Sequence, residues 1–310
     1  MTLGDLILLG EQLFIKAKIA LGQGAFHPRD EARWLALETL GLPVDSPEES
    51  ESSELQEADV QKVKAAYRRR IDERKPTAYL TGRAWLKGYD FLSDPRAIIP
   101  RSFIAELILR HFSPWTALGD DPYAVRRILD VCTGSGCLAI IAADFFPSAD
   151  VVACDLSLDA LSLAEENRRS YELDDRIHLV HADVYECIDS SKPCALDQTF
   201  DLIMANPPYV PESKMQSLPT EFQHEPRMAL VAEDQGMAVV RKILKGAAER
   251  LSPGGILVVE IGHEKDACEA MLEAEFPGLF PVWIETEEQM DHVFLCRDAD
   301  LIQHPWRPPQ

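Results

Sequence analysis

The sequence predicts an α/β protein: a doubly wound, mostly parallel sheet that finishes in an antiparallel hairpin and follows a small helical bundle. Three observations predict it. From residue 127 onward, β-type runs alternate with helical patterns, as in parallel βαβ units with helices on both faces. The last two runs, "PVWIETE" and "HVFLCR", are too close together for a crossover and must pair as a hairpin. The first 75 residues carry helical periodicity only. With 310 residues, 46% of them hydrophobic, the chain can bury one full-size domain and a smaller one.

The elements follow in order. Thr2 and Asp5 form a capping-box pattern before an apolar run that ends near Gly22. Pro28 opens a second helix and Gly41 closes it. After the acidic linker "DSPEESESSE", Ser53 and Gln56 suggest another capping box, and Val60, Val63, Tyr67 and Ile71 line one face of a third helix. The other face holds Lys62, Lys64, Arg68, Arg69, Arg70, Arg74 and Lys75, either a solvated face or a contact for ribosomal RNA. Residues 1–75 thus form the bundle. Residues 76–101, with alternating aromatics and aliphatics broken by Gly82, Gly88 and Pro95, predict a β-hairpin linker. Residues 102–310 form the sheet domain, with strands in "RILDVC", "DVVACD", "RIHLVHAD", "FDLIMAN" and "GILVVEIG" before the final pair. Helices are expected near 137–147, 157–170, 235–251 and 264–275.

A net charge of −21 speaks against a protein that grips nucleic acid chiefly by neutralising phosphates, and suits either a basic partner or simple solubility. No run approaches the roughly 20 apolar residues of a membrane span. The N-terminus lacks a signal peptide's basic flank and cleavage site, so no membrane and a cytoplasmic location are expected. Seven scattered cysteines read as reduced thiols, and the spacing of Cys132 and Cys137 is too loose for CxxC, so no metal site is expected.

The chemistry concentrates at strand ends. In "LDVCTGSGCLAI", a strand reaches Asp130, a turn carries Gly134 and Gly136, and a helix begins, a pattern that brings backbone N–H groups close to a ligand. Asp155 ends the next strand, where its carboxylate can accept from both ribose hydroxyls. These residues permit either a nicotinamide dinucleotide or S-adenosylmethionine. Asp183 ends the third strand, placed to meet adenine or to cap a helix. Asn206-Pro207-Pro208-Tyr209 follows the fourth and favours methyl transfer to a planar amino group, either a side-chain amide or the adenine N6 or guanine N2 of a nucleic acid. A planar –NH₂ group is a poor nucleophile, and the Asn206 side-chain oxygen and Pro207 carbonyl can accept its two N–H bonds and aim its lone pair. Tyr209 can lie against the planar group. The bland alternative is a turn stiffened by proline.

"CTGSGC", the Asp155 strand end and "NPPYV" resemble the HemK-type protein-(glutamine-N5) methyltransferases, and residues 76–106 resemble their interdomain hairpin. "GQGAFHPRDEA", "PRSFIAEL" and "MQSLPTEFQHEP" resemble the branch acting on a glutamine of large-subunit ribosomal protein L-three; the sister branch acts on release factors. The resemblance covers almost the whole chain. It implies a class I S-adenosylmethionine-dependent methyltransferase, a Rossmann-like seven-strand sheet of order 3-2-1-4-5-7-6 behind a substrate-binding bundle. L-three or a large-subunit assembly intermediate would be the partner. By position, Asp130, Thr133, Gly134, Ser135, Gly136 and Cys137 would border the cofactor's methionine part, Asp155 the ribose and Asp183 the adenine. Asn206 to Tyr209 would hold the glutamine. His224, Glu225 and Pro226 would wall the substrate channel, with His224 alternatively a structural histidine. "VAEDQGM" and "TEEQMDH" depart from the branch's glycine-richer patterns.

Overall fold

The computed structural model describes residues 1–114, 121–189, 191, 193–286 and 292–308. Three helices form the bundle: α1 (Leu3–Ala17), α2 (Pro28–Leu40) and α3 (Glu57–Glu73). The α1 capping box forms: Asp5 N donates to Thr2 Oγ1 at 3.1 Å and Thr2 N to Asp5 Oδ2 at 3.0 Å. The helix ends earlier than predicted, at Lys18 in the left-handed region, and Gly22 closes a later turn instead. Leu6, Ile7, Phe14, Leu35, Val60, Val63 and Tyr67 make the bundle core. A Cβ on Gly10 would lie 2.5 Å from the Tyr67 ring, so glycine is what lets α1 approach α3 so closely.

Two expectations for α3 need correction. Ser53 does not cap it: residues Glu48–Ser52 form a 3-10 turn, the Ser53 carbonyl accepts from Leu3 N at 3.0 Å, and Gln56 begins the helix without a side-chain cap bond. The basic face is also smaller than predicted. Arg70 continues the buried stripe of Val60, Val63 and Tyr67 at helical spacing and is 1% exposed, paired with Glu31 and Glu221. Arg74 bonds Glu221 and the Ala17 and Lys18 carbonyls. Lys62 and Arg69 pair with Asp59 and Glu73 on the helix itself. Four of the seven cations on that face are thus paired with carboxylates.

The linker opens with a helical turn, α4 (Thr77–Thr81), which Gly82 ends at φ 77°. The predicted hairpin is confined to β1 (Arg83–Leu86) and β2 (Tyr89–Leu92). After α5 (Ile104–Leu109) come β3 (Arg127–Val131), α6 (Cys137–Phe145), β4 (Asp150–Asp155), α7 (Leu158–Ser170) and β5 (Ile177–Asp183). A two-residue strand β6 (Glu186–Cys187) precedes β7 (Phe200–Ala205). Next are β8 (Val210–Pro211), α8 (Glu212–Met215), α9 (Arg227–Leu230) and β9 (Val231–Ala232). The chain finishes with α10 (Ala238–Arg250), β10 (Leu251–Glu260), α11 (Lys265–Glu275), β11 (Val282–Ile284), β12 (Val293–Arg297) and α12 (Asp298–Gln303).

The main sheet runs β11-β12-β10-β7-β3-β4-β5-β6. Its seven longer strands have the implied order 3-2-1-4-5-7-6; β11 and β12 pair antiparallel as predicted, and β12 is also antiparallel to β10. The short β6 adds an eighth strand, antiparallel to β5, that the sequence did not reveal. Just beyond it, the expectation of free thiols fails for two residues: Cys187 and Cys194 form a disulfide, with Cα atoms 6.0 Å apart. The other five cysteines are free.

Alternating strand residues build the two layers. Ile128, Leu202, Met204, Ile256 and Val258 pack with α5 and α6; Leu129, Ile203, Leu257 and Val259 pack with α10 and α11. Strand order reverses between β3 and β7, and the crevice outside the carboxyl ends of strands at such a reversal is where ligands bind in this architecture.

Candidate active site

A cavity of about 390 Å³ opens at that crevice. Cys132 and Gly134 after β3, Asp155 to Ser157 after β4, Ala182 to Val184 after β5, and Asn206 and Pro208 after β7 form its floor. Pro95 to Ile98 of the linker make one wall, and Pro226 to Ala229 another.

The Asp155 carboxylate ties the glycine turn to the next helix. Oδ2 accepts from Gly134 N at 2.9 Å and Oδ1 from Ser157 N at 2.8 Å, while Ser157 caps α7 through Ala160 N. Burial raises its pKa, and the Ser157 and Gly134 amides oppose that rise. Each carboxylate oxygen keeps acceptor capacity for a further donor in the cavity. Gly134 sits at φ +57°, and a Cβ there would reach 3.7 Å from Ile98 of the opposite wall, filling cavity space.

The other residues of the glycine turn serve from behind. Asp130 is completely buried and accepts from Thr133 Oγ1 at 2.6 Å; burial pushes its carboxyl up to about 7. Thr133 N donates to the Cys154 carbonyl. Asn167 of α7 donates to the Ser135 carbonyl at 3.0 Å. A Cβ on Gly136 would meet Ala164 at 3.2 Å, so this glycine admits α7 rather than a ligand. Burial lifts the Cys137 thiol to about 12, and it stays protonated. Asp130, Thr133, Ser135, Gly136 and Cys137 are therefore not among the cavity's lining residues. Asp183 is, and its carboxylate meets Lys242 Nζ at 2.8 Å. The helix-cap reading of Asp183 is not realised, because the chain turns into β6.

Asn206 stands half-buried at the end of β7, whose last residue, Ala205, pairs with Val131 in the central strand. Its amide makes no hydrogen bond among the described residues and lines the cavity. Pro207 is buried behind it. Two close approaches fix the loop beyond: a Cβ on Gly236 would lie 2.0 Å from the Tyr209 carbonyl oxygen, and one on Gly262 would lie 2.6 Å from the Tyr209 ring. Burial raises the Tyr209 phenol, which stays neutral. Tyr209 does not line the cavity; its ring lies against Gly262.

Among relatives, the ribosomal protein uL3 glutamine methyltransferase of Burkholderia pseudomallei is 44% identical over 300 residues, covering 97% of this chain and 95% of its own. That of Neisseria meningitidis serogroup B is 41% identical over 301 residues, covering 97% and 94%. The chain belongs to the uL3 glutamine methyltransferase family. A family model described as the methyltransferase small domain also matches residues 106–234, spanning the glycine turn and the Asn-Pro-Pro-Tyr loop.

Of the three stretches that pointed to the uL3 branch, the third touches both of the others, the first through Gln23 and the second through the pair of Arg101 with Glu225. Gln23 Nε2 donates to the Glu221 carbonyl at 3.4 Å. Glu221 is fully buried against Ala20 N, Arg70 and Arg74. Ser102 Oγ and Phe103 N donate to Glu260 Oε2 at 2.5 and 2.9 Å. Burial pushes Glu260 up to about 7.

The expected channel wall is corrected at two positions. Glu225 has a fully buried side chain spent on Ile99 N and the Arg101 guanidinium, leaving it no face for a substrate. His224 is half-buried with Nε2 3.2 Å from the Glu73 carbonyl, on the bundle side, which favours its structural reading. Pro226 alone of the three lines the cavity. Arg101, Glu221 and Glu260 were missed because their partners lie more than 100 positions away. The departing segment "TEEQMDH" lies mostly outside the described residues, whereas Asp234 and Gln235 of "VAEDQGM" adopt φ of 52° and 58°, a region that glycine would enter without strain.

Proposed function

We propose that this enzyme transfers a methyl group from S-adenosylmethionine to the side-chain nitrogen of a glutamine in ribosomal protein uL3. The observation that carries the reading is the Asn206 amide, set by two prolines at the carboxyl end of β7 and facing the cavity floored by Asp155. The residues present fit the cofactor. A ribose can bond the Asp155 carboxylate, Gly134 leaves room that any side chain would take, and Ala182, Val184, Pro226 and Met228 offer apolar surface for a purine beside Asp183. Bound there, the cofactor supplies an electrophilic methyl carbon.

The chain's own work is then positioning. Asn206 Oδ1 and the Pro207 carbonyl accept the two N–H bonds of the target amide and turn its lone pair toward the cavity. Proline's fixed φ, and the restriction each proline places on the residue before it, limit how the backbone carrying both acceptors can turn. Gly236 and Gly262 hold Tyr209, and with it the loop, in register. No side-chain base is required before transfer, since methylation makes the departing proton acidic. The acidic surface suits a basic protein partner.

The test is to incubate the protein and radiolabelled S-adenosylmethionine with undermethylated ribosomal proteins, assembly intermediates and release factors, then map the label by mass spectrometry. A methyl on a uL3 glutamine is expected. The same mark on a release factor would move the chain to the sister activity, and label on RNA alone would overturn the substrate class.

A further inference from the structure

The turn Thr220–His224 and the residue after it carry two buried carboxylates with different partners. On the bundle side, Glu221 Oε1 accepts from Arg74 at 2.8 Å, from Ala20 N at 2.9 Å and from Arg70 at 3.4 Å. Arg70 is itself held by Glu31 at 2.6 Å and by the Ala20 carbonyl at 3.1 Å. On the catalytic side, Glu225 accepts from Ile99 N at 3.0 Å and from both terminal nitrogens of Arg101. Ile99 directly follows the Pro95–Ile98 wall of the cavity, and Glu225 directly precedes the Pro226–Ala229 wall. One carboxylate fastens the two walls together, and the other, one turn earlier, fastens the same segment to the bundle. A buried ion pair that loses one partner leaves an uncompensated charge, so neither fastening loosens without cost.

We infer that the Thr220–Glu225 segment couples the helical bundle to the cofactor cavity, with Glu221 as a positioning residue whose hold on Arg70 and Arg74 sets how firmly the two walls close around S-adenosylmethionine. A protein substrate that braces the bundle then tightens cofactor binding, and bound cofactor tightens substrate binding by the same factor, since such coupling is reciprocal. The inference rests on the cofactor reading of the cavity and adds to it a route by which the substrate-facing module acts on that site.

The experiment is calorimetric titration of the full chain with S-adenosylmethionine alone, followed by turnover on undermethylated uL3. Arg74→Gln is the main variant, because this side chain is 27% exposed and its loss leaves the Arg70–Glu31 pair intact. Glu221→Gln is the second, and Arg69→Gln, which breaks only an exposed pair on α3, is the control. The dissociation constant is expected to rise about 2- to 30-fold in the first two variants and to stay unchanged in the control. At saturating cofactor, kcat is expected to remain within about twofold of wild type, a split that general destabilisation would not produce. Unchanged affinity in a folded Arg74→Gln and Glu221→Gln would overturn the coupling. Failure of the wild type to bind S-adenosylmethionine would overturn the cofactor reading and the inference with it.

Discussion

Adding one methyl group to Gly236 tests how the Asn206–Tyr209 loop is held. In Gly236→Ala the new Cβ would fall 2.0 Å from the Tyr209 carbonyl oxygen and 2.8 Å from its carbon. Both are backbone atoms, so no side-chain rotation relieves the clash. Reaching an ordinary contact of 3.4 Å requires the two segments to part by roughly 1.4 Å, and a misplacement of about 1 Å at a reacting group costs on the order of 100-fold in rate. The residue also sits at φ +90°, which adds about 1–2 kcal/mol of strain for any side chain. Gly254→Ala separates the two effects. It shares a positive φ of 83°, has nothing within 4 Å of its Cβ, and lies in β10 away from the cavity. Gly254→Ala is expected to lose about 1–2 kcal/mol of stability in thermal melts, and Gly236→Ala more than that, because the backbone clash adds to the same strain. Only Gly236→Ala is expected to lose about 100-fold in kcat with cofactor affinity within a few-fold of wild type. A folded Gly236→Ala turning over at the wild-type rate would refute the idea that this contact positions the loop.

Other consequences follow from the same geometry. Asn206→Ala is expected to bind S-adenosylmethionine within a few-fold of wild type and to lose at least about 100-fold in methyl transfer; wild-type turnover would remove Asn206 from the mechanism. Burial raises Glu260 to about 7, so the native state favours its protonated form. Its contribution to stability is complete below the unfolded carboxylate range, falls as pH rises through it, and is lost above about 7. Glu260→Gln removes that dependence, so its unfolding free energy should decline less than wild type's from pH 5 to 8, the gap growing toward about 3 kcal/mol; parallel curves would contradict it. Gln235→Gly, at φ 58° and ψ 29°, relieves left-handed strain and is expected to gain about 0.5–1 kcal/mol, read as a higher melting temperature. A lower melting temperature would show that the Gln235 side chain contributes more than its backbone costs.

The sheet was legible because each of its long strands is a hydrophobic run bounded by turn residues, and because two-residue periodicity and β-branched composition are local properties. Asp155 and Asn206 were legible for a related reason: strand ends in such a sheet are where ligands bind, so their position carries meaning before any coordinate is known. The capping box at Thr2 was readable, but the same pattern at Ser53 misled, since the Ser53 carbonyl is engaged by Leu3 on another helix. Arg70 misled in the opposite direction. Charge argued for the surface, yet helical spacing from Tyr67 puts it inside, and only the distant Glu31 and Glu221 make that burial tolerable. Glu225 and Glu260 share this opacity, because no local rule connects a carboxylate to a backbone amide more than 100 residues away.

The double anchorage of residues 220–225 bears on how such enzymes can be recombined. A chimera that kept this catalytic half and received a foreign bundle would strand Glu221 without its arginines, deep in the new seam. The graft would have to carry the 220–225 segment along with the bundle, although nearly 150 residues of chain lie between them. Bundle and sheet domain in this protein are separate along the chain but not separable as exchangeable parts, because the turn that joins them in space belongs to both.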